Sequence, residues 1–118
     1  ADYDEAIQLD PDGAVAYFNR GIAYVKLGQP DKAIADYTEA IRIDPNYASA
    51  YSNRGIVYAG LAQYDKAIAD YTEAIRIKPD DAMAYYNRGI AHRKLGLDVK
   101  ADADFAKAKE LGYEPDDE

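Results

Sequence analysis

The sequence predicts an all-α fold in which three similar helical hairpins, preceded by part of a fourth, stack as an α-solenoid. Three observations predict it. The triplet Asn-Arg-Gly recurs at 19–21, 53–55 and 87–89, a spacing of 34 residues. Segment 31–43 returns unchanged as 65–77. Each unit also holds two stretches of helical length in which apolar residues recur at helical spacing, so each unit is expected to form a hairpin.

The individual helices follow from this apolar spacing, taken in chain order. A proline precedes three of them, and the polar residue after each proline is predicted as the N-cap, because its side chain can accept backbone N–H groups. These N-cap residues are Asp12, Asn46 and Asp80. The seven helices are predicted near residues 2–9, 13–27, 30–43, 47–60, 64–77, 81–95 and 98–111.

The hairpins are expected to form one domain over residues 1–118, because no linker separates them. Residues 14–47 and 48–81 are identical at 24 of 34 positions. Tyr3 and Ile7 align with second-helix residues of the later units, so the chain is expected to begin partway through a hairpin. This start is expected for a piece of a longer protein, and a processed natural terminus would read identically. The expected division is a half repeat at 1–13 and repeats at 14–47, 48–81 and 82–115.

The third repeat is expected to have the character of a C-terminal cap. Asp102 and Lys109 stand where the first two repeats carry isoleucine. Charges at these positions disfavour docking of a further repeat, which is how solenoids end.

Composition excludes several classes of protein. The 118 residues carry a net charge of −8, and 48% are hydrophobic, which excludes wholesale disorder. The mean hydropathy is −0.52, and no apolar run is long enough to cross a membrane. Without cysteine there is no disulfide framework and no thiolate nucleophile. The acidic balance disfavours nucleic acid. A soluble protein is expected, in a compartment that the sequence leaves open, with the cytoplasm favoured.

The spacing of particular residues resembles the tetratricopeptide repeat (TPR) family over essentially the whole chain. The family pattern of aromatic, glycine, tyrosine, alanine, aromatic, alanine and proline is matched by Tyr17, Gly21, Tyr24, Ala33, Tyr37, Ala40 and Pro45. The next unit matches it with Tyr51, Gly55, Tyr58, Ala67, Tyr71, Ala74 and Pro79. The third unit matches it less completely, with Tyr113 where proline is expected. The resemblance implies a right-handed superhelix that binds peptides along its concave face.

The recurrent glycines and tyrosines indicate how the hairpins pack. Glycine inside a helix costs about 1 kcal/mol relative to alanine, so close packing must offset that cost. We expect these glycines to face the small alanines of the second helix, with the tyrosines mostly in the core. The glycine and alanine pairs are Gly21 with Ala33, Gly55 with Ala67, and Gly89 with Ala101.

Charge is divided unequally between the helices. The first helices of the three hairpins hold six bases and no acid, which leaves eight bases and all 22 acids elsewhere, a balance of −14. The resemblance places these helices on the concave wall, so an electropositive inner surface and an acidic partner are expected. Alternatively, three of the arginines pair with acids such as Asp36 or Asp70, and this interpretation is favoured for Arg20, Arg54 and Arg88. Lys26, Arg93 and Lys94 are expected to be freer.

Asn19, Asn53 and Asn87 form a second recurrent row. A carboxamide both donates and accepts, so it can pair with the N–H and C=O of one residue of an extended peptide. These asparagines are similar to those that line the peptide groove of O-linked N-acetylglucosamine transferase superhelices. The alternative is that each one bonds nearby helix backbone or water. Each such bond contributes about 0.5–1.5 kcal/mol, so three asparagines alone imply weak binding.

Variable positions on the same wall suggest a pocket over the second repeat. Small residues there, Ser52 and Gly60, lie between bulkier neighbours. We expect an apolar or aromatic peptide side chain to sit between Phe18 and Tyr86, with Arg93 available to an acidic group. Neutral drift between near-duplicate repeats would give similar variation.

Catalysis has little support in the sequence. No P-loop, dinucleotide-binding, HExxH or serine-elbow motif occurs, and no cofactor or metal site is expected. His92 replaces a recurrent tyrosine, which favours a buried packing role. The basic residues that clamp chaperone tails in some family members are also missing. The matching positions here are Phe18, Ile22, Asn53, Met83 and Asn87, and of these Asn53 alone agrees with the clamp.

Two functions remain open. The first is a non-catalytic adaptor or scaffold that binds an extended, acidic or carboxylate-bearing peptide through the asparagines. The second is self-association, in which the helix around Tyr3 and Ile7 forms a homodimer through a two-fold contact.

Overall fold

The computed structural model describes residues 2–9 and 13–114, with the side chains of residues 4–7 and 13–114. These ranges contain seven α-helices and no strand, which confirms the all-α prediction. Each predicted helix lies within one residue of its observed bounds. The helices are α1 (Asp2–Leu9), α2 (Ala14–Lys26), α3 (Pro30–Ile43), α4 (Ala48–Gly60), α5 (Tyr64–Ile77), α6 (Ala82–Lys94) and α7 (Asp98–Glu110).

Each hairpin turns on a residue with positive φ. Gly28 and Gly96 have φ of +71° and +78°, and Ala62 adopts +61° at the same place in the middle hairpin. Glycine adopts this region without steric cost, whereas Ala62 has a Cβ that disfavours it. Pro30 begins α3, where its missing N–H is not needed for the helix.

The helix N-caps lie one residue later than predicted. Tyr47 rather than Asn46 caps α4, and Asp81 rather than Asp80 caps α6. Only the Asp81 side chain accepts a backbone N–H in these two caps, from Ala84 at 3.2 Å. Two further residues follow each proline before α4 and α6 begin, so the cap position shifts with them. The predicted cap Asp12 lies outside the described residues.

The hairpins stack side by side into an elongated array of about 46 × 25 × 25 Å. Helices α2 and α3, α4 and α5, and α6 and α7 form the hairpins, and α3 packs on α4 as α5 packs on α6. Helix α1 packs on α2. Among the described residues, no helix has the length and apolar character that crossing a bilayer requires.

The core is built from small and aromatic side chains. Ala33, Ala67 and Ala101 are fully buried, and Tyr37 and Tyr71 are the largest side chains that are almost wholly buried. The other described tyrosines are half-buried. The tyrosines therefore contribute to packing as predicted, although most of them also reach the surface.

The recurrent glycines contact aromatic rings, which differs from the expected contact with alanine. A Cβ added to Gly21 or Gly55 would lie 2.7 Å from the Cε1 atom of Tyr37 or Tyr71. At Gly89 it would lie 2.7 Å from the Phe105 ring and 3.2 Å from the carbonyl oxygen of Ala101. The missing side chain therefore makes room for the ring of the second helix.

Candidate functional site

Three of the basic residues on the first helices are bound within the fold. Arg54 donates from Nε and Nη2 to both carboxylate oxygens of Asp70, at 2.8 Å each, and from Nη1 to the Thr38 hydroxyl at 3.0 Å. The hydrogen bonds that Asp70 accepts raise the pKa of Arg54. Arg20 with Asp36 and Arg88 with Asp104 repeat this geometry.

The favoured interpretation of these arginines is therefore confirmed. Each one joins the two helices of its own hairpin through a nearly buried aspartate. Each also bonds to the second helix before it, through Asp4, Thr38 or Thr72. Their charge is neutralised locally, so they contribute little positive potential to the surface.

The remaining bases on the first helices differ among themselves. Arg93 forms ion pairs with Asp98 and Asp102, and its guanidinium lies 5.3 Å from the centre of the Phe105 ring. It is therefore less free than the sequence suggested, because α7 supplies two acids beside it. Lys26 and Lys94 are exposed, and neither forms an ion pair with the described residues. These two lysines carry the positive charge of this side.

Three open cavities lie on the side formed by α2, α4 and α6, the first helix of each hairpin. The Gly60 cavity, of about 260 Å³, is lined by Val25, Pro30, Ile56, Val57, Gly60 and Leu61. The Asn53 cavity, of about 210 Å³, is lined by Ile22, Val25, Lys26, Tyr37, Asn53, Ile56 and Val57. The Asn87 cavity, of about 370 Å³, is lined by Ile56, Ala59, Tyr64, Tyr71, Met83, Asn87, Ile90 and Ala91. Ile56 lines all three, so together they form one surface, the apolar groove.

The Asn53 and Asn87 cavities are equivalent sites in successive hairpins. Each is lined by an asparagine, by the isoleucine three positions later and by the tyrosine of the preceding second helix. Residues three apart share one face of a helix, so the asparagine and isoleucine rows run side by side. Ile56 and Ile90 are 48% and 37% exposed. This isoleucine row was not predicted as part of the site, although isoleucine recurs at 22, 56 and 90 with a spacing of 34 residues.

The asparagines are half-buried, and their contacts with the rest of residues 13–114 use little of their hydrogen-bonding capacity. Burial raises the pKa of the Tyr37 hydroxyl, and a hydrogen bond with Asn53 partly opposes that rise. This contact uses one of the bonds that the carboxamide can form. Within residues 13–114, Asn19 and Asn87 form no hydrogen bond to another side chain.

Phe18 and Tyr86 lie apart from the Gly60 cavity. The Phe18 ring lies 5.8 Å from Tyr37 and stacks on Tyr47 at 4.9 Å. The Tyr86 ring lies 5.3 Å from Phe105 and 4.8 Å from Tyr113. Both rings pack against second helices and following loops, so the walls of the Gly60 cavity are aliphatic rather than aromatic.

Ser52 takes the place of these rings in the middle hairpin. Its hydroxyl oxygen is buried and has no hydrogen-bond partner among the described residues. Gly60, in contrast, is exposed, and a Cβ added there would meet no atom within 4 Å. The two small residues of the middle hairpin therefore have different surroundings, and only Gly60 opens into the apolar groove.

His92 is buried beside the Arg88–Asp104 pair. Its Nε2 atom lies 3.5 Å from Asp104, and its Nδ1 atom has no partner among the described residues. Burial lowers the pKa of His92, which keeps the ring neutral. In the other hairpins Tyr24 and Tyr58 occupy this position, each beneath a lysine. The contacts of His92 agree with a packing role.

At the other end of the array, α1 packs on α2 and is joined to it by an ion pair between Asp4 and Arg20, at 3.0 Å. Ile7 is half-buried. The Tyr3 side chain lies outside the described residues, so the predicted contact of Tyr3 and Ile7 with a second copy remains a prediction.

Comparison with known proteins agrees with the hairpin architecture. Family models described as tetratricopeptide repeat match residues 14–47 and 36–69, and one described as TPR repeat matches residues 63–96. A search of curated proteins gives no match.

Several solved structures are similar to the whole array. The MamA protein is 35% identical over 92% of this chain, with a TM-score of 0.88, and the match spans 60% of the MamA chain. The second TPR of Spaghetti (RPAP3), solved with the HSP90 peptide SRMEEVD, is 32% identical over 91% of this chain and 98% of its own, with a TM-score of 0.82. The Arabidopsis OM64 TPR domain is 33% identical over 84% of this chain and 82% of its own, with a TM-score of 0.81.

Proposed function

Because the chain belongs to the tetratricopeptide repeat family, we propose that it is a non-catalytic interaction module that binds an extended, acidic or carboxylate-bearing peptide. The peptide lies in the apolar groove, and Asn19, Asn53 and Asn87 bond to its backbone. The observation that carries this proposal is the equivalence of the Asn53 and Asn87 cavities, which presents one carboxamide in each of two successive hairpins.

The spacing of the asparagines suits an extended chain. Neighbouring helices pack about 8–10 Å apart, and an extended peptide advances about 3.3 Å per residue. One asparagine would therefore meet the peptide backbone every few residues. Backbone bonds do not read the peptide sequence, so selectivity comes from the cavities between the asparagines and from charge.

The preference for acidic peptides rests on Lys26 and Lys94. Their exposed ammonium groups attract carboxylates, which raises the association rate and favours acidic partners more than it raises affinity. The second TPR of Spaghetti binds an acidic HSP90 peptide. In this chain Phe18, Ile22 and Met83 stand at positions matching the chaperone-tail clamp, so we propose that acidic peptides are held by the asparagines and lysines instead.

The test is a titration of acidic peptides against the parent chain and against the double variant Asn53→Ala, Asn87→Ala. We expect the double variant to bind about 5- to 150-fold more weakly, since each lost bond contributes about 0.5–1.5 kcal/mol. Asn46→Ala is the matched control, because Asn46 is exposed in the loop before α4. Equal affinities for all three proteins would overturn the proposal that the asparagines bind the peptide backbone.

A second candidate function is self-association through α1. It is favoured by the packing of α1, which has α2 as its main neighbour among the described elements and so resembles a second helix without its own first helix. Light scattering across concentration compares the parent with Tyr3→Glu and Ile7→Glu. A dimer that both changes dissociate would support this function, and a monomer at every concentration would exclude it.

A further inference from the structure

We infer that the Gly60 cavity receives one aliphatic side chain of the bound peptide, and that Lys26 and Lys94 select acidic residues on either side of it. This inference rests on the proposed function and specifies the peptide that the groove takes: an acidic residue on either side of a central aliphatic one.

The walls of the Gly60 cavity are aliphatic and exposed. Val25, Ile56 and Leu61 are 45%, 48% and 37% exposed, and Pro30 completes the wall. No charged side chain lines the cavity. Its volume of about 260 Å³ exceeds the roughly 150 Å³ that holds benzene in an apolar protein cavity, so one aliphatic side chain fits. A carboxylate placed there would lose hydration without gaining a partner.

The backbone does not require glycine at position 60. Its φ lies outside the positive range that favours glycine, and an added Cβ would meet no atom within 4 Å. Gly60 therefore differs from Gly28, which turns the chain, and from Gly55, which makes room for the Tyr71 ring. Glycine at this position weakens the helix, and no described residue packs into the space that its missing side chain leaves. What it provides is open space toward a ligand.

The flanking lysines supply the charge complementarity. The position of Gly60 is occupied by Lys26 in the hairpin before it and by Lys94 in the hairpin after it. Both are exposed and form no ion pair with the described residues. Lys26 directly follows Val25, which lines the Gly60 cavity, and Lys26 itself lines the adjoining Asn53 cavity. Lys94 is the equivalent residue of the next hairpin, on the other side of Gly60. The surface therefore alternates positive, apolar and positive.

The experiment compares peptides that share a serine frame with one glutamate on either side of a central residue. The central residue is leucine, alanine or aspartate. We expect the leucine peptide to bind the parent chain about tenfold or more tightly than the aspartate peptide, because burying leucine corresponds to a tenfold to hundredfold gain. Exchanging both glutamates for lysine should weaken binding in a salt-dependent way.

Gly60→Leu fills the cavity from within and tests the site directly. We expect it to bind the leucine peptide no better than the aspartate peptide, while its affinity for the aspartate peptide is unchanged. Gly60→Ala is the control and keeps most of the preference. Chemical denaturation of each variant verifies the fold, which the open space around Gly60 should leave intact.

The outcomes separate the two proposals. If the three peptides bind the parent equally and Asn53→Ala with Asn87→Ala weakens all of them, the aliphatic site is wrong and the proposed function stands. If the parent prefers the leucine peptide and Gly60→Leu keeps that preference, the leucine side chain does not bind in the Gly60 cavity, and the inference is wrong. If no peptide of the series binds, both the site and the proposed function are overturned.

Discussion

The same substitution at two glycines of α4 should have opposite effects on stability. Gly55 and Gly60 both lie in this helix, so alanine gains helix propensity at each, up to about 1 kcal/mol. At Gly60 nothing opposes that gain, because an added Cβ meets no atom within 4 Å. At Gly55 the Cβ would lie 2.7, 3.0 and 3.2 Å from three ring atoms of Tyr71, which is only 2% exposed.

The magnitude follows from the displacement that the Tyr71 ring must accept. Ordinary contact begins near 3.4 Å, so the ring must move by about 0.7 Å inside a packed core. Overpacking of this kind costs about 1–3 kcal/mol. Gly60→Ala should therefore raise the free energy of unfolding, and Gly55→Ala should be about 1–3 kcal/mol less stable than Gly60→Ala.

Urea denaturation followed by far-ultraviolet circular dichroism measures this difference. A third variant, Gly55→Ala with Tyr71→Leu, removes the ring and should recover most of the overpacking cost relative to Tyr71→Leu alone. If Gly55→Ala were as stable as Gly60→Ala, the close approach of α4 to the Tyr71 ring would not explain why position 55 is glycine.

Two further predictions concern buried ionisable groups. Asp70→Asn removes the carboxylate that pairs with nearly buried Arg54 and should lower the free energy of unfolding by about 3 kcal/mol. Glu73→Gln, in an exposed ion pair, should lower it by less than about 1 kcal/mol. Equal losses for the two variants in chemical denaturation would contradict this prediction. His92 has a lowered pKa, so the unfolded chain takes up its proton first and the stability contributed by the neutral ring is lost as pH falls below 6.5. His92→Tyr, which places a ring beneath Lys100 as in the other hairpins, should lack that loss, and unchanged pH dependence between pH 7.5 and 5.5 would refute the assignment.

Much of the fold was predictable because the period identifies residues that share one environment. The helix bounds followed from apolar spacing, and the pairing of Arg54 with Asp70 followed because acids and bases recur at a constant separation. The repeat does not determine which of the recurrent residues lie in contact with each other. It did not show that Gly55 faces the Tyr71 ring rather than Ala67, since both residues recur with the same period.

The candidate site was predictable only where it repeats. Asn53 and Asn87 were identified by recurrence, and the structure places both beside apolar cavities. Arg93 has no counterpart of its own type in the other hairpins, where Val25 and Ala59 occupy the position, so its contacts with acids of α7 could not be inferred. The aliphatic walls of the Gly60 cavity come from two separate stretches of chain, 25–30 and 56–61, which no local pattern connects.

The arginine contacts also bear on how the array opens. Arg54 holds Asp70 of its own hairpin and Thr38 of the hairpin before it, and Arg88 does the same with Asp104 and Thr72. Unfolding one hairpin therefore costs its neighbour the arginine–threonine hydrogen bond as well as the packing of a second helix on the next first helix, which penalises frayed intermediates. Amide protons of the middle helices should then exchange with solvent together, in a single cooperative event, and a protease should find few cleavage sites before the whole array has opened.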